Sequence, residues 1–540
     1  MIGIALLGVL ATLLTGFHAW RRHRYYLHVL QLEGYKNREF SSWLRHQPLS
    51  TILLRRYLVA SLVILLLWAK PFFTSDTLTI VGLFAWCLIF ASARRYRTDR
   101  AKKPVVFTAR LKRLLTASVA LALALVVAGS IAALSATPLE AAWYLLGWLA
   151  ADMLAPRTVG LAGSLMRPVE VNIQNGFKRQ ARERMQRQKD TTVIGITGSY
   201  GKTSVKFAIA EVLRRQFNVL ETPASYNTPM GICKVINNDL EEWHRFLVLE
   251  MGARYRGDIK ELCTIATPDV AVLTSIGLAH LETMGSEEAI LETKGELIDC
   301  MKRGGPVVAN GDDEKVMTLA SRASGPVTVV STERTDVDLR ATDIRYDTSG
   351  CHFRVVDRSG EEAEMQSLLL GRHNVLNILL GLAVGRLFGM TLRQMKHAVG
   401  GLKPVPHRLN LRKEGQLTVI DDAFNSNPVG ARSAVDILSQ FDSGQRVIVT
   451  PGMIELGERQ EAENHALGAF MADRVDLAIL VGRRQTEPIR EGLTSAGFDE
   501  SRIRVVDSLF EAQAVLKEVL RAGDVVLYEN DLPDHYDERS

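Results

Sequence analysis

Long apolar runs crowd the first 155 residues and then stop. Residues 2–20 are uncharged apart from His18, and similar runs follow at 57–73, 77–93, 114–136 and 139–155. A helix needs about 17–25 apolar residues to cross the roughly 30 Å hydrocarbon layer of a bilayer. The first, third and fourth runs therefore predict spanning helices, while Lys70 and Pro71 weaken the second and Glu140 and Asp152 the fifth. A signal peptide is the competing reading of the first run, but Arg21, Arg22 and Arg24 follow it where a small-residue cleavage site would stand. From Thr191 the pattern changes to short β-branched runs alternating with helical stretches and separated by Gly and Pro. That pattern predicts a parallel sheet covered by helices, an α/β fold. Its first unit reads as strand TVIGIT (192–197), loop GSYGKTS (198–204) and helix (205–217). Strands near LTVID, RVIVT, LAILVG, IRVVD and DVVLYE predict a second, Rossmann-like domain at the end of the chain.

Charge gives the helical part a direction. Residues 1–190 hold 26 Lys/Arg against 9 Asp/Glu, and residues 191–540 hold 39 against 51, an asymmetry hidden in the overall +5. The loops after the first and third apolar runs carry eight and nine basic residues, and those after the second and fourth carry almost none. Basic loops stay on the cytoplasmic side, so five spans place the N-terminus outside and everything beyond Ala155 in the cytoplasm, at the cell (inner) membrane. The string Lys178, Arg179, Arg182, Arg184, Arg187 and Lys189 reads either as a solvated helix face or as a juxtamembrane helix lying on anionic membrane lipids. Phe177 is its only aromatic residue, so no nucleic-acid partner is expected. Length (540 residues) and an apolar content of 47% exclude a small binding module and a disordered chain. The five cysteines form no CxxC pair and give no zinc or disulfide pattern.

The loop after the first soluble-half strand carries the chemistry. A strict G-x-x-x-x-G-K-[ST] motif would need Gly where Ile196 stands; the chain has Gly195, Thr197, Gly198, Ser199, Gly201, Lys202, Thr203 and Ser204. Gly198 and Gly201 let backbone N–H groups turn onto phosphate oxygens, and the following helix N-terminus adds partial positive charge. Lys202 can reach the outer phosphates, and the Thr203 hydroxyl can hold Mg²⁺.

With this loop the chain resembles the Mur ligases, whose loop has the form G-x-T-G-[ST]-x-G-K-[ST]. The resemblance continues in order through SYNTPMG (225–231), LEMGARYRGDI (249–259), SIGLAHLETMGS (275–286), TKGEL (293–297), NGDD (310–313), GRHNVLN (371–377), PHRLNL (406–411), IDDAFNSNP (420–428) and GMIELGE (452–458). The last two are most similar to the MurF type, the members that add D-alanyl-D-alanine to a UDP-muramoyl tripeptide.

The resemblance implies an ADP-forming carboxylate–amine ligase using ATP and Mg²⁺ in cell-wall synthesis. Its organisation would be a transmembrane domain (1–156), a basic juxtamembrane linker (157–190), a central P-loop ATPase-like domain (191–402) and a C-terminal Rossmann-like domain (403–540). It also implies site roles: Lys202, Glu250, His280, Lys294 and Asn227 for catalysis; Thr203, Glu250, His280 and a carbamylated Lys294 around metal; Asn374 and Asn377 on a nucleotide-facing helix. Arg408 and Asp422 would join the nucleotide from the C-terminal domain, with Asn425 and Asn427 near the amine substrate. Lys294 stands out by itself, since Ile290, Leu291, Leu297 and Ile298 lie three and four residues away and offer no carboxylate.

MurF-type chains begin with a soluble UDP-binding domain, and here the apolar runs occupy that place. The end also departs, reading VVLYENDLPDHY where the MurF type has Lys-Gly-Ser. The expected partners are a small-molecule or lipid-linked carboxylate, an amino acid or dipeptide, and membrane lipids. A poly-γ-glutamate-type polymer ligase at the membrane is the alternative.

Overall fold

The computed structural model describes residues 2–47, 55–68, 77–91, 104–135, 139–223, 226–277, 281–404, 409–423, 426–454 and 456–530. They form two compact units, Met1–Gly176 and Phe177–Ser540.

The first unit is helical: α1 (Ile2–Leu32), α2 (Asn37–His46), α3 (Arg55–Trp68), α4 (Thr77–Ala91), α5 (Ala109–Leu134), α6 (Glu140–Met153) and the start of α7 (Ala155–Arg187). Along α1, Ala11, Thr15, His18, Arg22, Tyr26 and Leu30 are buried at spacings of three and four residues, the period of one helix face. Ile2, Leu6, Val9, Leu13 and Phe17 point outward. Helices α5 and α6 cross where a Cβ on Gly129 would lie 2.8 Å from Gly147 Cα, the close backbone approach that small residues permit.

Among the described residues only α1 and α5, with 31 and 26 residues, are long and apolar enough to cross a membrane. The second and third runs appear as α3 and α4, helices of 14 and 15 residues. The fifth run is not one helix: α6 stops at Met153 and α7 starts at Ala155, with Pro156 in the first turn of α7, where a missing N–H costs no helical hydrogen bond.

The basic stretch is helical to Arg187, and three of its cations bind the second unit's own surface. Lys178 pairs with Glu261, Arg182 donates to Thr264 O at 2.8 Å, and Arg184 donates to Asn237 O at 2.8 Å. Arg182 is exposed while making its bond, and Lys178 and Arg184 are partly buried.

The second unit holds two sheets. The larger is ordered β2-β3-β1-β4-β5-β6-β7-β8-β9, with β1 (Thr192–Thr197), β2 (Val219–Glu221), β3 (Phe246–Glu250), β4 (Val270–Leu273), β5 (Val307–Asn310), β6 (Val327–Ser331), β7 (Leu339–Asp347), β8 (Gly350–Asp357) and β9 (Glu362–Ser367). It is parallel through β7 and antiparallel from β7 to β9. The central strands β3 and β4 are buried along their whole length and β1 from Val193 onward, as strands covered on both faces must be. The smaller sheet is ordered β10-β11-β15-β12-β13-β14: β10 (Asn410–Glu414), β11 (Leu417–Asp422), β12 (Arg446–Thr450), β13 (Leu477–Val481), β14 (Ile503–Val506) and β15 (Val525–Glu529). Only β10 runs antiparallel in it.

The helix after the phosphate loop, Lys202–Leu213, is clamped by the helix Arg372–Leu387. At their crossing a Cβ on Gly381 would lie 2.9 Å from Ala208 Cβ and 3.0 Å from its carbonyl carbon. Gly381→Val should therefore overpack this crossing and destabilise the second unit by about 1–3 kcal/mol, read as a lower midpoint in thermal unfolding.

Candidate active site

Strand β1 delivers the chain to the centre of the larger sheet, between β3 and β4, and the loop 198–201 turns it into the helix Lys202–Leu213. Each glycine in that turn has a local reason. Gly201 sits at φ +80°, and a Cβ there would meet Asn377 Oδ1 at 2.6 Å; a Cβ on Gly198 would lie 2.0 Å from Thr274 Oγ1. The loop is tied to the chain after β4: Ser199 N donates to Ser275 O at 2.6 Å, Ser199 Oγ to Gly277 O at 3.0 Å, and Thr274 Oγ1 to Tyr200 O at 2.6 Å. Thr197, fully buried, donates to Met251 O at 3.0 Å, which ties β1 to the end of β3. Ser204 is half-buried in the first helical turn.

Glu250 ends β3 and is 2% exposed. Its Oε2 accepts from Thr203 Oγ1 at 2.9 Å, and its Oε1 accepts from Asn227 Nδ2 at 2.9 Å. Lys206, fully buried one turn beyond Lys202, places Nζ 3.6 Å from Oε2. Burial pushes the Lys206 ammonium below its ordinary pKa, and the charges of Glu250 and Glu221 oppose that shift. Lys202 folds back on its own loop and donates to Gly198 O at 2.7 Å and Ser199 O at 3.1 Å.

Lys294 lies 1% exposed on the helix Glu287–Cys300. Burial and the nearby Lys202 charge push its amine down to about 8, against the pull of Asp258 and Glu296. Asn377 reaches the phosphate loop at Gly201 and donates to Asn374 Oδ1 at 3.3 Å; Asn374 Nδ2 in turn donates to Leu370 O at 2.7 Å.

The structure thus brings together Thr197, Gly198, Ser199, Gly201, Lys202, Thr203, Asn227, Glu250, Lys294, Asn374 and Asn377. Asp422 ends β11 in the smaller sheet, where its Oδ1 accepts from Leu409 N at 3.1 Å. His280, Arg408 and Asn425 lie outside the described residues. The Asn427 side chain caps the helix Pro428–Ser439, its Oδ1 accepting from Val429 N and Gly430 N. Lys206 is the residue the sequence reading passed over. Its signal was present, a lysine flanked by Val205 and Ile209 on a buried helix face.

Comparison with known proteins agrees with this architecture. The Mur ligase middle domain matches residues 196–385 and the Mur ligase glutamate ligase domain residues 407–528. The UDP-N-acetylmuramoyl-tripeptide–D-alanyl-D-alanine ligase of Bacillus subtilis (strain 168) is 31% identical over 341 residues, covering 63% of this chain and 72% of the relative. The chain belongs to the Mur ligase family. It is accordingly an ADP-forming acid–amine ligase. The corresponding ligase of Mycobacterium tuberculosis (strain CDC 1551 / Oshkosh) is 34% identical over 358 residues, covering 62% of this Mur ligase and 69% of the relative. The crystal structure of MurF ligase from Thermotoga maritima in complex with ADP aligns with a TM-score of 0.57 at 29% identity, over 66% of this chain and 80% of that one. Both domain matches begin after residue 195, so the helical unit stands outside them.

Thr203 and Glu250 suit Mg²⁺. Both are hard oxygen donors, and their 2.9 Å separation is about the edge of an octahedron with ligands at roughly 2.0–2.1 Å. Mg²⁺ usually takes one or two protein oxygens and fills the rest of its shell with phosphate oxygens and water.

Gly201→Ala should weaken adenine-nucleotide binding about tenfold by calorimetry, a loss of about 1.4 kcal/mol. The left-handed backbone and the Asn377 contact both refuse a methyl group there, while the sheet core is untouched.

Proposed function

We propose that this Mur ligase is a membrane-anchored, MurF-like enzyme that extends a cell-wall precursor on the cytoplasmic face of the membrane, using ATP and Mg²⁺. An oxygen of the acceptor carboxylate attacks the γ-phosphorus and the bond to ADP breaks. The amine nitrogen of an amino acid or a dipeptide of the D-alanyl-D-alanine kind then attacks the acyl carbon, the carbon–oxygen bond to phosphate breaks, and the nitrogen loses a proton.

The observation that carries this reading is the Thr203–Glu250–Asn227 cluster at the mouth of the phosphate loop, with Lys202 beside it. Lys202 would exchange its two carbonyl partners for phosphate oxygens, supplying charge where it develops in phosphoryl transfer. Mg²⁺, held by Thr203 and Glu250, would neutralise phosphate charge. Lys294, if carbamylated, would present an anion to that metal, and an amine near 8 favours the modification because only the neutral amine attacks CO₂. His280 and Arg408 belong to the same reading, as metal ligand and phosphate contact, and Asp422 as the ribose contact.

The anchoring rests on α1 and α5, on the alternation of basic and uncharged loops, and on the outward apolar faces of the shorter helices. Leu58, Leu62 and Leu65 of α3, and Val81, Phe84 and Leu88 of α4, are each more than half exposed, an arrangement that suits lipid better than water. A chain built this way suits a lipid-linked carboxylate as acceptor in place of the UDP-linked one named for its relatives.

Purified full-length protein with ATP, Mg²⁺ and D-alanyl-D-alanine should release phosphate with a lipid-linked muramoyl peptide and much less with the UDP-linked one; the reverse order would overturn the acceptor assignment. Lys202→Ala should lower phosphate release on the order of 10²–10³-fold while the protein still partitions with membranes.

Incorporation of ¹³C-bicarbonate at Lys294 should climb as pH rises through about 8 and vanish in Lys294→Arg. A flat profile, followed by ¹³C NMR, would remove the carbamate from the mechanism.

A further inference from the structure

The smaller sheet buries a carboxyl that the ligase chemistry has left unused. Glu529 ends β15 and is 1% exposed. Strand β15 lies between β11 and β12, so three parallel strands bring their carboxyl ends together there, and in an open α/β sheet that edge is where ligands settle. Glu529 Oε1 accepts from the hydroxyl of Ser426, on the segment that leaves β11, and Oε2 accepts from Thr450 Oγ1 at 2.8 Å, at the end of β12. Asn530 ties the same segments again: its Oδ1 accepts from Ser426 N at 3.3 Å and its Nδ2 donates to Gly452 O at 2.7 Å. Both residues belong to the stretch VVLYENDLPDHY, where the end of the chain departs from the MurF type.

Two features suit this carboxyl to proton transfer. Its donors are neutral hydroxyls, and the charge beside it is another carboxylate, Asp422, its register partner on β11. One residue back, on the other face of that strand, Asp421 lies 3.5 Å from Arg412, and behind Gly452 stands the neutral amide of Asn464. Burial, with the Asp422 charge added to it, pushes the Glu529 carboxyl up to about 7 against the two hydroxyl bonds. Both protonation states are then populated at neutral pH, as a proton acceptor requires. The second feature is access. Thr450 is fully buried and Ser426 only half-buried, so of the two hydroxyls resting on the carboxyl it is Ser426 that also reaches the surface.

We propose that Ser426 and Glu529 form a proton relay for the amine substrate, with Ser426 meeting the nitrogen and Glu529 acting through it. As the nitrogen bonds to the acyl carbon, its N–H bond breaks and the proton passes to Ser426 Oγ; the Ser426 hydroxyl proton passes to Glu529 Oε1, and the carboxylate becomes a carboxylic acid. The relay rests on the reading of an amino acid or a dipeptide as amine donor, and it goes further by naming the groups that take the proton. Ser426 is the catalytic residue of the pair, and Glu529 is a positioning residue that holds the serine and stores its proton.

The test follows phosphate release by full-length protein with ATP, Mg²⁺, a muramoyl peptide acceptor and D-alanyl-D-alanine as pH is varied. Glutamine mimics the protonated carboxyl. The wild-type advantage over Glu529→Gln in kcat/KM for the dipeptide should therefore be near one at about pH 5.5, climb through about 7 and reach at least tenfold by about pH 8.5. Ser426→Ala should show the same climbing deficit, and Ser426→Thr, which restores the hydroxyl, should bring back the wild-type profile. A tie that only held the segments together would lower the rate by one factor throughout, so a deficit that is equal at every pH, or no deficit, overturns the relay. If Glu529→Gln fails to fold, the two Ser426 variants decide by the same criterion. The wild type separates the two levels: if it turns over no amino acid or dipeptide, the amine reading falls and the relay with it, whereas an active wild type whose variants keep its profile sinks the relay alone.

Discussion

A buried carboxylate must be surrounded by donors or it destabilises the fold, and Glu250 makes that requirement the organising constraint of the second unit. Its three partners come from two segments: Thr203 lies in the first turn of the helix after the phosphate loop, Lys206 one turn further along it, and Asn227 precedes the next helix. Satisfying one side chain therefore fixes the loop against the edge of the sheet. It also divides two lysines between two tasks. Lys206, fully buried, compensates the Glu250 charge; Lys202, at the loop mouth, donates to the carbonyl oxygens of Gly198 and Ser199. The loop is in this sense already shaped for an anion.

The same constraint explains why the surrounding residues tolerate so little change in size. Gly198 and Gly201 meet Thr274 and Asn377 at distances that exclude a side chain, so the loop is gripped from the β4 side and from the helix Arg372–Leu387 together. That helix is in turn gripped at Gly381. Nucleotide contacts attributed to Asn374 and Asn377 thus sit on an element whose position is set by backbone-to-backbone packing, which is how a site far apart in sequence acquires a fixed geometry.

Much of this was legible in the sequence, for identifiable reasons. The parallel strands announce themselves as unbroken apolar runs because both faces are covered; TVIGIT corresponds to β1 residue for residue. The antiparallel strands β7 to β9 escaped notice because only alternate residues, such as Cys351, Phe353 and Val355, are buried, and a half-polar run looks like a loop. Lys178, Arg182 and Arg184 read as a free basic face because a charge string does not reveal an acidic residue or a carbonyl far along the chain. Asn427 carries the same signal as a helix cap that it would carry as a substrate contact, and the proline after it favours the cap. The run 139–155 was read as one segment because hydropathy is blind to a helix junction such as the one at Leu154.

The two units, though built of different elements, solve one electrostatic problem in a similar way. In each, a single carboxylate is held mainly by neutral donors, Thr203 and Asn227 for Glu250, His18 and Tyr57 for Asp152. Such donors satisfy the carboxylate without cancelling the cations nearby. Lys202 and Lys294 are then close enough for each charge to feel the other. Mutual repulsion limits how far this can go, and Lys294 shows the limit: beside Lys202 and away from water, its proton is held weakly enough to leave near pH 8.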